Sequence, residues 1–201
     1  LKAIAWSEST MTMASRATPF DAIGDALVTF DCGHGVMQVT TGMTVPLGAN
    51  GRPSDRQALI ATHYGYNIAR GAQILAEKWN QAPESRPVAG TDTASDPAVL
   101  ENWYYAVWGY NGFTGPGANR SNHPLDPSFA AWPRPQFRCD GTQSRDRYPY
   151  QELVWGCMAN PASRNGQPLW EATAAALPDL TSPAFFTPMS LANWRFPYSG
   201  M

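Results

Sequence analysis

Apolar and polar positions along the chain fall mostly into helical registers separated by stretches of turn residues. Leu1, Ile4 and Ala5 sit at i, i+3, i+4 spacing, which predicts a helix over residues 1–10 with one face in a core. Glu8 stands one turn beyond Ile4 and Ala5, on or beside that apolar stripe. Met11 to Asp31 mixes Ser, Thr, Pro, Gly and Asp and reads as a long loop, with one turn of helix at Phe20–Leu27. Val36–Thr40 fits either a short strand or an irregular helix start, and Thr44–Pro53 carries loop chemistry.

Ser54 with Gln57 three residues on forms a capping box and predicts a helix to about His63. Gly65 marks a break. Asn67 is then expected to cap a second helix to about Asn80, with Ile68, Gly71, Ala72, Leu75 and Trp79 as its inward stripe. Gln81–Thr93 reads as an exposed connection. Asp96 and Pro97 predict an N-cap and first helical residue, followed by Val99, Leu100, Trp103, Ala106, Val107 and Tyr110 on one face to Gly112. Phe113–Tyr148 is loop-rich, Pro149 opens a helix to Met158, and Leu169–Leu177 predicts another short one. Thr181–Met201 is expected to pack in extended form on the surface. These elements describe a mainly α fold with little or no sheet and a loop-rich C-terminal half, in a single domain over residues 1–201.

The chain has 201 residues, 43% hydrophobic and 15% charged, which suits one globular domain with a sizeable core. A net charge of −2 gives no electrostatic footprint for nucleic acid. No run of about 18 apolar residues is present to span a membrane. Leu1 opens in mid-pattern, so a processed chain, with any anchor or further module outside these residues, is expected. Cys139 and Cys157 bracket a loop rich in Asp, Arg and Tyr. Their pairing as a disulfide, in an exported protein, is favoured over three reduced thiols. Cys32 is expected to be a free, buried thiol. No second Cys/His pair stands near Cys32 and His34, so neither a metal nor a cofactor is expected.

Four segments carry a resemblance: Glu8-Ser9; Gly35-Val36-Met37-Gln38; Asn67-Ile68 with Gly71; and Tyr110-Asn111-Gly112. In this order they resemble the lytic transglycosylase and goose-type lysozyme family, in which a catalytic Glu-Ser ends a helix. Gly-Leu-Met-Gln, Asn-Ile-x-x-Gly and Ala-Tyr-Asn-Ala-Gly segments follow it there. The resemblance covers residues 1–113, with 114–201 as an extension packed on it. Val36 stands where the family has Leu, and Gly109 and Phe113 replace its small residues around Tyr-Asn.

The resemblance implies an α+β lysozyme-like fold with a glycan-binding cleft, and Glu8 as the single general acid and base that cleaves peptidoglycan at its MurNAc-GlcNAc β-1,4 bond. An apolar wall would hold that carboxyl protonated to higher pH, as an acid catalyst requires. Gln38 would donate to sugar oxygens. Tyr110 would bond Glu8 or stack on a sugar, Met37 would line the core or the groove, and Asn111 would fix the loop after its helix. Tyr105 and Trp108 are the aromatic candidates for the groove. Asp31 is the candidate second carboxylate: if it orients a water, the reaction becomes a lysozyme-like hydrolysis of peptidoglycan or a chitin-type glycan. A catalytically silent glycan-binding or envelope structural protein with the same fold is the alternative from another class.

Overall fold

The computed structural model describes residues 1–19, 21–43, 51–81, 96–112 and 122–182. Regular structure among them is mainly helical. The helices are α1 (Lys2–Ser9), α2 (Asp55–Thr62), α3 (Tyr64–Gln81), α4 (Tyr104–Asn111) and α5 (Tyr150–Ala159), with 3-10 turns at Leu100–Trp103 and Arg145–Arg147. One two-stranded antiparallel ribbon, β1 (Ser163–Arg164) and β2 (Gln167–Pro168), completes it. The chain divides into two compact units, Leu1–Ile74 and Leu75–Met201, with the boundary inside α3. No described helix is long and apolar enough to cross a membrane.

In the first unit, α1 buries Ala3, Ile4 and Ala5 together with Val36, Met37, Val39 and Ile60. The helix stops at Thr10, whose backbone turns left-handed (φ 56°) while its N–H reaches the Ala5 and Trp6 carbonyls. A β-branched residue disfavours that conformation, and Met11 follows it at φ 62°. The helical turn expected at Phe20–Leu27 is not formed; Phe20 itself lies outside the described residues. Instead the loop doubles back on itself. Ser15 N–H donates to Asp25 O, Leu27 N–H donates to Met13 O, and Ala14 bridges Ala26. Val36–Thr40 is neither strand nor helix. It is a turn closed by reciprocal bonds between His34 and Val39.

Helix α2 begins as its sequence dictates. Ser54 Oγ accepts from Gln57 N–H, and Gln57 Oε1 accepts from Ser54 N–H. The break before α3 falls at His63 rather than Gly65, and α3 starts at Tyr64. Asn67 therefore lies within the first turns of α3 and does not cap its own helix.

In the second unit, α4 buries every residue from Tyr104 to Gly109, and α5 every residue from Tyr150 to Cys157. Helices buried on all sides carry no facial pattern. The N-cap expected at Asp96-Pro97 holds only a tight turn, in which Asp96 Oδ1 accepts from Ala98 N–H. Helical structure begins later, at Leu100. Gly156 lets α5 press on residue 137, because a Cβ there would overlap the Phe137 carbonyl. Beside that contact the expected disulfide joins Cys139 to Cys157, with Cα atoms 5.0 Å apart. Asp140, bonded by the Thr142 hydroxyl and by Arg138, is held well below the usual carboxylate range. Cys32 is a free thiol but only half-buried.

The helix expected at Leu169–Leu177 is absent. This Ala-rich stretch runs extended because better partners lie outside it: Thr173 N–H donates to Met158 O, Ala176 N–H to Glu101 Oε1, and Trp155 Nε1 to Ala176 O. Tertiary bonds outweigh a helix preference of a few tenths of a kcal/mol per residue. Most of the connection at 81–93 and of the tail at 181–201 lies outside the described residues.

Candidate functional site

Glu8 occupies the last turn of α1, half-buried, with Ile4 and Ala5 one turn below it in the core. The next residue, Ser9, fixes where this helix end sits. Its buried Oγ donates within hydrogen-bond distance of two carbonyls, Val36 O at 2.8 Å and Ala5 O at 3.2 Å. The first ties α1 to a segment 27 positions away.

The same segment is held from the other side by α3. Asn67 is fully buried (0% exposed). Its Oδ1 accepts from Met37 N–H at 2.8 Å, and its Nδ2 donates to His34 O at 2.7 Å and Ile60 O at 3.0 Å. One turn on, Gly71 leaves no room for a side chain: a Cβ there would stand 2.5 Å from Met37 Cβ and 2.6 Å from its Cγ. Ser9, Val36-Met37, Asn67 and Gly71 are thus one bonded and close-packed assembly in the first unit. Sequence reasoning missed the purpose of Asn67. The only available signal was an Asn placed four residues before a Gly, which also fits a helix cap.

Gln38 follows Met37 in the left-handed region (φ 47°). Its Nε2 donates to Gly35 O at 2.8 Å, and its Oε1 lies 2.7 Å from Thr29 Oγ1. The Thr29 hydroxyl also stands 2.6 Å from Asp31 Oδ1 and 3.2 Å from Gly33 O, so three acceptors compete for one proton. Asp31 is exposed and accepts from Gly33 N–H as well. It therefore sits one hydroxyl away from Gln38. Thr29 had no motif to announce it. Met37 is fully buried, and it also borders a cavity of about 250 Å³ lined by Ala5, Met11, Met13, Val36 and Ile68 among others. Glu8 does not line that cavity.

The remaining expected residues belong to the second unit. Tyr110 is half-buried and Asn111 exposed at the end of α4. Asn111 fixes the chain that follows, accepting from Asn122 Nδ2 at 2.8 Å, while the same amide donates to Gly112 O. Tyr105 and Trp108 were expected on a glycan groove, but they are 0% and 1% exposed, within an aromatic core. Tyr105 stacks on Trp108, and Tyr104 meets both edge-on. Burial pushes the hydroxyls of Tyr104 and Tyr105 well above the ordinary tyrosine range. An all-aromatic turn of helix has no sequence feature that tells inward from outward rings.

The second unit also contains a charged pair that nothing local announced. Arg134 Nε and Nη2 donate to the two oxygens of Glu152 at 2.7 and 2.6 Å, with both side chains almost wholly buried. Arg134 further donates to Ala130 O and Pro124 O. Burial pushes the Glu152 carboxyl up, and the guanidinium pulls it back. On α5 beside it, Gln151 Nε2 donates to Asn122 O at 2.9 Å and to Tyr104 Oη at 3.3 Å. This network anchors residues 122–134 to α5 and α4. No group of three or more metal-ligating side chains occurs among the described residues. No family model matches this chain, and neither does any curated protein or solved structure.

Proposed function

We propose that this protein cleaves peptidoglycan as a lytic transglycosylase, with Glu8 as its single acid and base. The observation that carries the reading is the assembly around Met37. Three of the four segments that resemble the family, far apart in sequence, bond or pack directly on one another: Ser9 on Val36, Asn67 on Met37, Gly71 on Met37. This assembly holds the helix end bearing Glu8 and the turn bearing Gln38 against a common support, and rigid support is what positions a reacting group. Two consecutive left-handed residues directly after Glu8-Ser9 add to it, since backbone of this kind persists where its surroundings over-determine it.

In this reading the Glu8 carboxyl protonates the glycosidic oxygen, and the C1–O bond breaks as oxocarbenium character develops on the sugar. The resulting carboxylate then accepts the proton of the same sugar's C6 hydroxyl while that oxygen bonds C1. The product is a 1,6-anhydro sugar, no water is consumed, and Glu8 ends protonated as it began. The disulfide fits work outside the reducing cytoplasm, in the envelope or beyond it.

One observation favours hydrolysis as a second reading. Asp31 shares the Thr29 hydroxyl with Gln38, and in this reading its exposed carboxylate would orient the water. Mass spectrometry of digested cell wall decides between them. Anhydro-muropeptides support the first reading and reducing-end products the second. A Glu8→Gln variant that still lyses walls at the wild-type rate removes Glu8 as the acid. Absence of lysis by the wild-type protein leaves a silent glycan-binding protein.

A further inference from the structure

The loop that follows α1 carries a surface with no part in the Met37 assembly. Residues 25–29 run extended between residues 13–15 and 33–35, with Ala26 bridging Ala14 and Val28 bridging His34. Side chains along such a segment alternate between its two faces. Leu27 turns inward and is 8% exposed, while Ala26, Val28 and Phe30 face water, Val28 at 52% and Phe30 at 87%. Ile23, just before the segment, is wholly exposed. Phe30 opens a three-residue turn closed by Cys32 N–H on Thr29 O at 2.9 Å and Thr29 N–H on Gly33 O at 3.0 Å. Cys32 supplies the left-handed residue (φ 62°) that a turn of this length takes before the chain pairs again. Asp31 Oδ1 braces the turn by accepting from Gly33 N–H, so the ring of Phe30 stands on held backbone. Between Arg16 and Arg52 the sequence has three aspartates, Asp21, Asp25 and Asp31, and no lysine or arginine. All three are exposed, and among the described residues none is in an ion pair. The backbone edge beyond residue 14 is closed, because Thr12 Oγ1 accepts from Ala14 N–H and donates to Ala14 O. What this loop offers a partner is therefore its side-chain face.

We propose that this face docks a basic, apolar segment of a partner polypeptide. Large apolar side chains grouped on a surface and rimmed by charge mark an interaction site. A ring already held in place gives up little freedom on binding, which makes Phe30 the anchor. The carboxylates set the sign of the partner. Lysine or arginine spaced between apolar residues would meet them, and an acidic segment would be repelled. Other occupants fit worse. A lipid surface is neutral or anionic, and docking on it would strip water from carboxylates that gain no cation in return. A sugar strand would set its hydroxyls against Ile23 and Val28, which offer them no hydrogen bond. The inference goes beyond the glycan reading and does not depend on it, since the face uses neither Glu8 nor Gln38.

The test is fluorescence anisotropy of short labelled peptides titrated with the full wild-type chain. One peptide alternates lysine with valine, one glutamate with valine, and one lysine with serine. The Lys–Val peptide is expected to saturate and to bind at least about tenfold more tightly than either control. Phe30→Ser and Ile23→Ser change side chains already in water, so the fold is kept. Phe30→Ser should weaken Lys–Val binding about tenfold or more, and Ile23→Ser by less. Asp21→Asn with Asp25→Asn should weaken it about threefold and flatten its dependence on salt; asparagine tolerates the left-handed backbone at residue 21 (φ 65°). A Lys–Val peptide that does not saturate overturns the proposal, as does equal affinity for the Glu–Val peptide or an unchanged affinity in Phe30→Ser. Displacement of the peptide by an N-acetylglucosamine tetramer, or loss of wall lysis in Phe30→Ser, gives the face to glycan and overturns it too. Binding to phosphatidylcholine vesicles that is lost in Phe30→Ser gives it to a membrane, with the same consequence. The two readings fail separately. Peptide binding that depends on Phe30, in a chain that lyses no wall, keeps the docking face and discards the enzyme. Lysis that depends on Glu8 without peptide binding does the reverse.

Discussion

Asn67 is the residue whose replacement tests the support of the candidate site most directly. Its buried amide makes three bonds, from Met37 N–H and to His34 O and Ile60 O. At about 1 kcal/mol net per bond, Asn67→Ala loses about 3 kcal/mol. Alanine is the better helix former by about 0.6 kcal/mol and sits inside α3, so the net cost is about 2.5 kcal/mol. For a chain of this size that lowers the melting temperature by about 5–10 °C. Asn67→Asp sharpens the test. It keeps the acceptor for Met37 N–H but turns a carboxylate oxygen toward two carbonyls. The folded state must then disfavour the charged form, raising the aspartate pKa above its unfolded value of about 3.9. The sign follows from linkage. Below the unfolded pKa both states are protonated and the variant is least impaired; as pH rises through the raised folded value, stability falls. Urea unfolding midpoints at about pH 4 and pH 7 read this out, with the larger deficit expected at pH 7. An Asn67→Ala melting temperature within about 2 °C of wild type refutes the reasoning. So does an Asp deficit that shrinks toward neutral pH.

Opening the 18-residue loop between Cys139 and Cys157 by Cys→Ser at both positions should cost about 3 kcal/mol. Reductant should destabilise the wild type by a similar amount and so lower its melting temperature, and a melting curve indifferent to reductant counts against the bridge. Glu152→Ala leaves the Arg134 guanidinium buried without its carboxylate partner and should cost about 3–5 kcal/mol in urea unfolding. The double change Arg134→Met with Glu152→Leu should cost less than Glu152→Ala alone, because no buried charge remains. A double variant that costs more than Glu152→Ala alone contradicts that account.

Where local chemistry decides structure, the sequence was sufficient. The Ser54 and Gln57 box opened α2 at its expected place because both of its bonds lie within four residues. The end of α1, the body of α3, the start of α5 after Pro149 and the Cys139–Cys157 pairing were legible for related reasons: periodic burial, or a loop long enough to close. The site was legible as a set of short segments, Glu8-Ser9, Gly35 to Gln38 and Asn67 with Gly71, but not as an assembly. No sequence feature shows that a serine hydroxyl bonds a carbonyl 27 positions away, or that Asn67 turns from capping its own helix to holding another loop.

The misplacements have the same origin. Residues 169–177 carry a helical composition, yet Thr173 N–H and both backbone groups of Ala176 found partners on α5 or at Glu101. Tyr105 and Trp108 lie on a helix apolar all round, where periodicity is silent and neighbours alone decide which rings are covered. The sequence by itself determined where most of the helices lie, which two cysteines join, and which short segments make up the candidate site. The tertiary structure alone decided which of those segments touch, which aromatic rings stay in water, and that Arg134 would find Glu152. Contacts of this kind depend on the meeting of surfaces distant in the chain, and a local pattern records only one of the two.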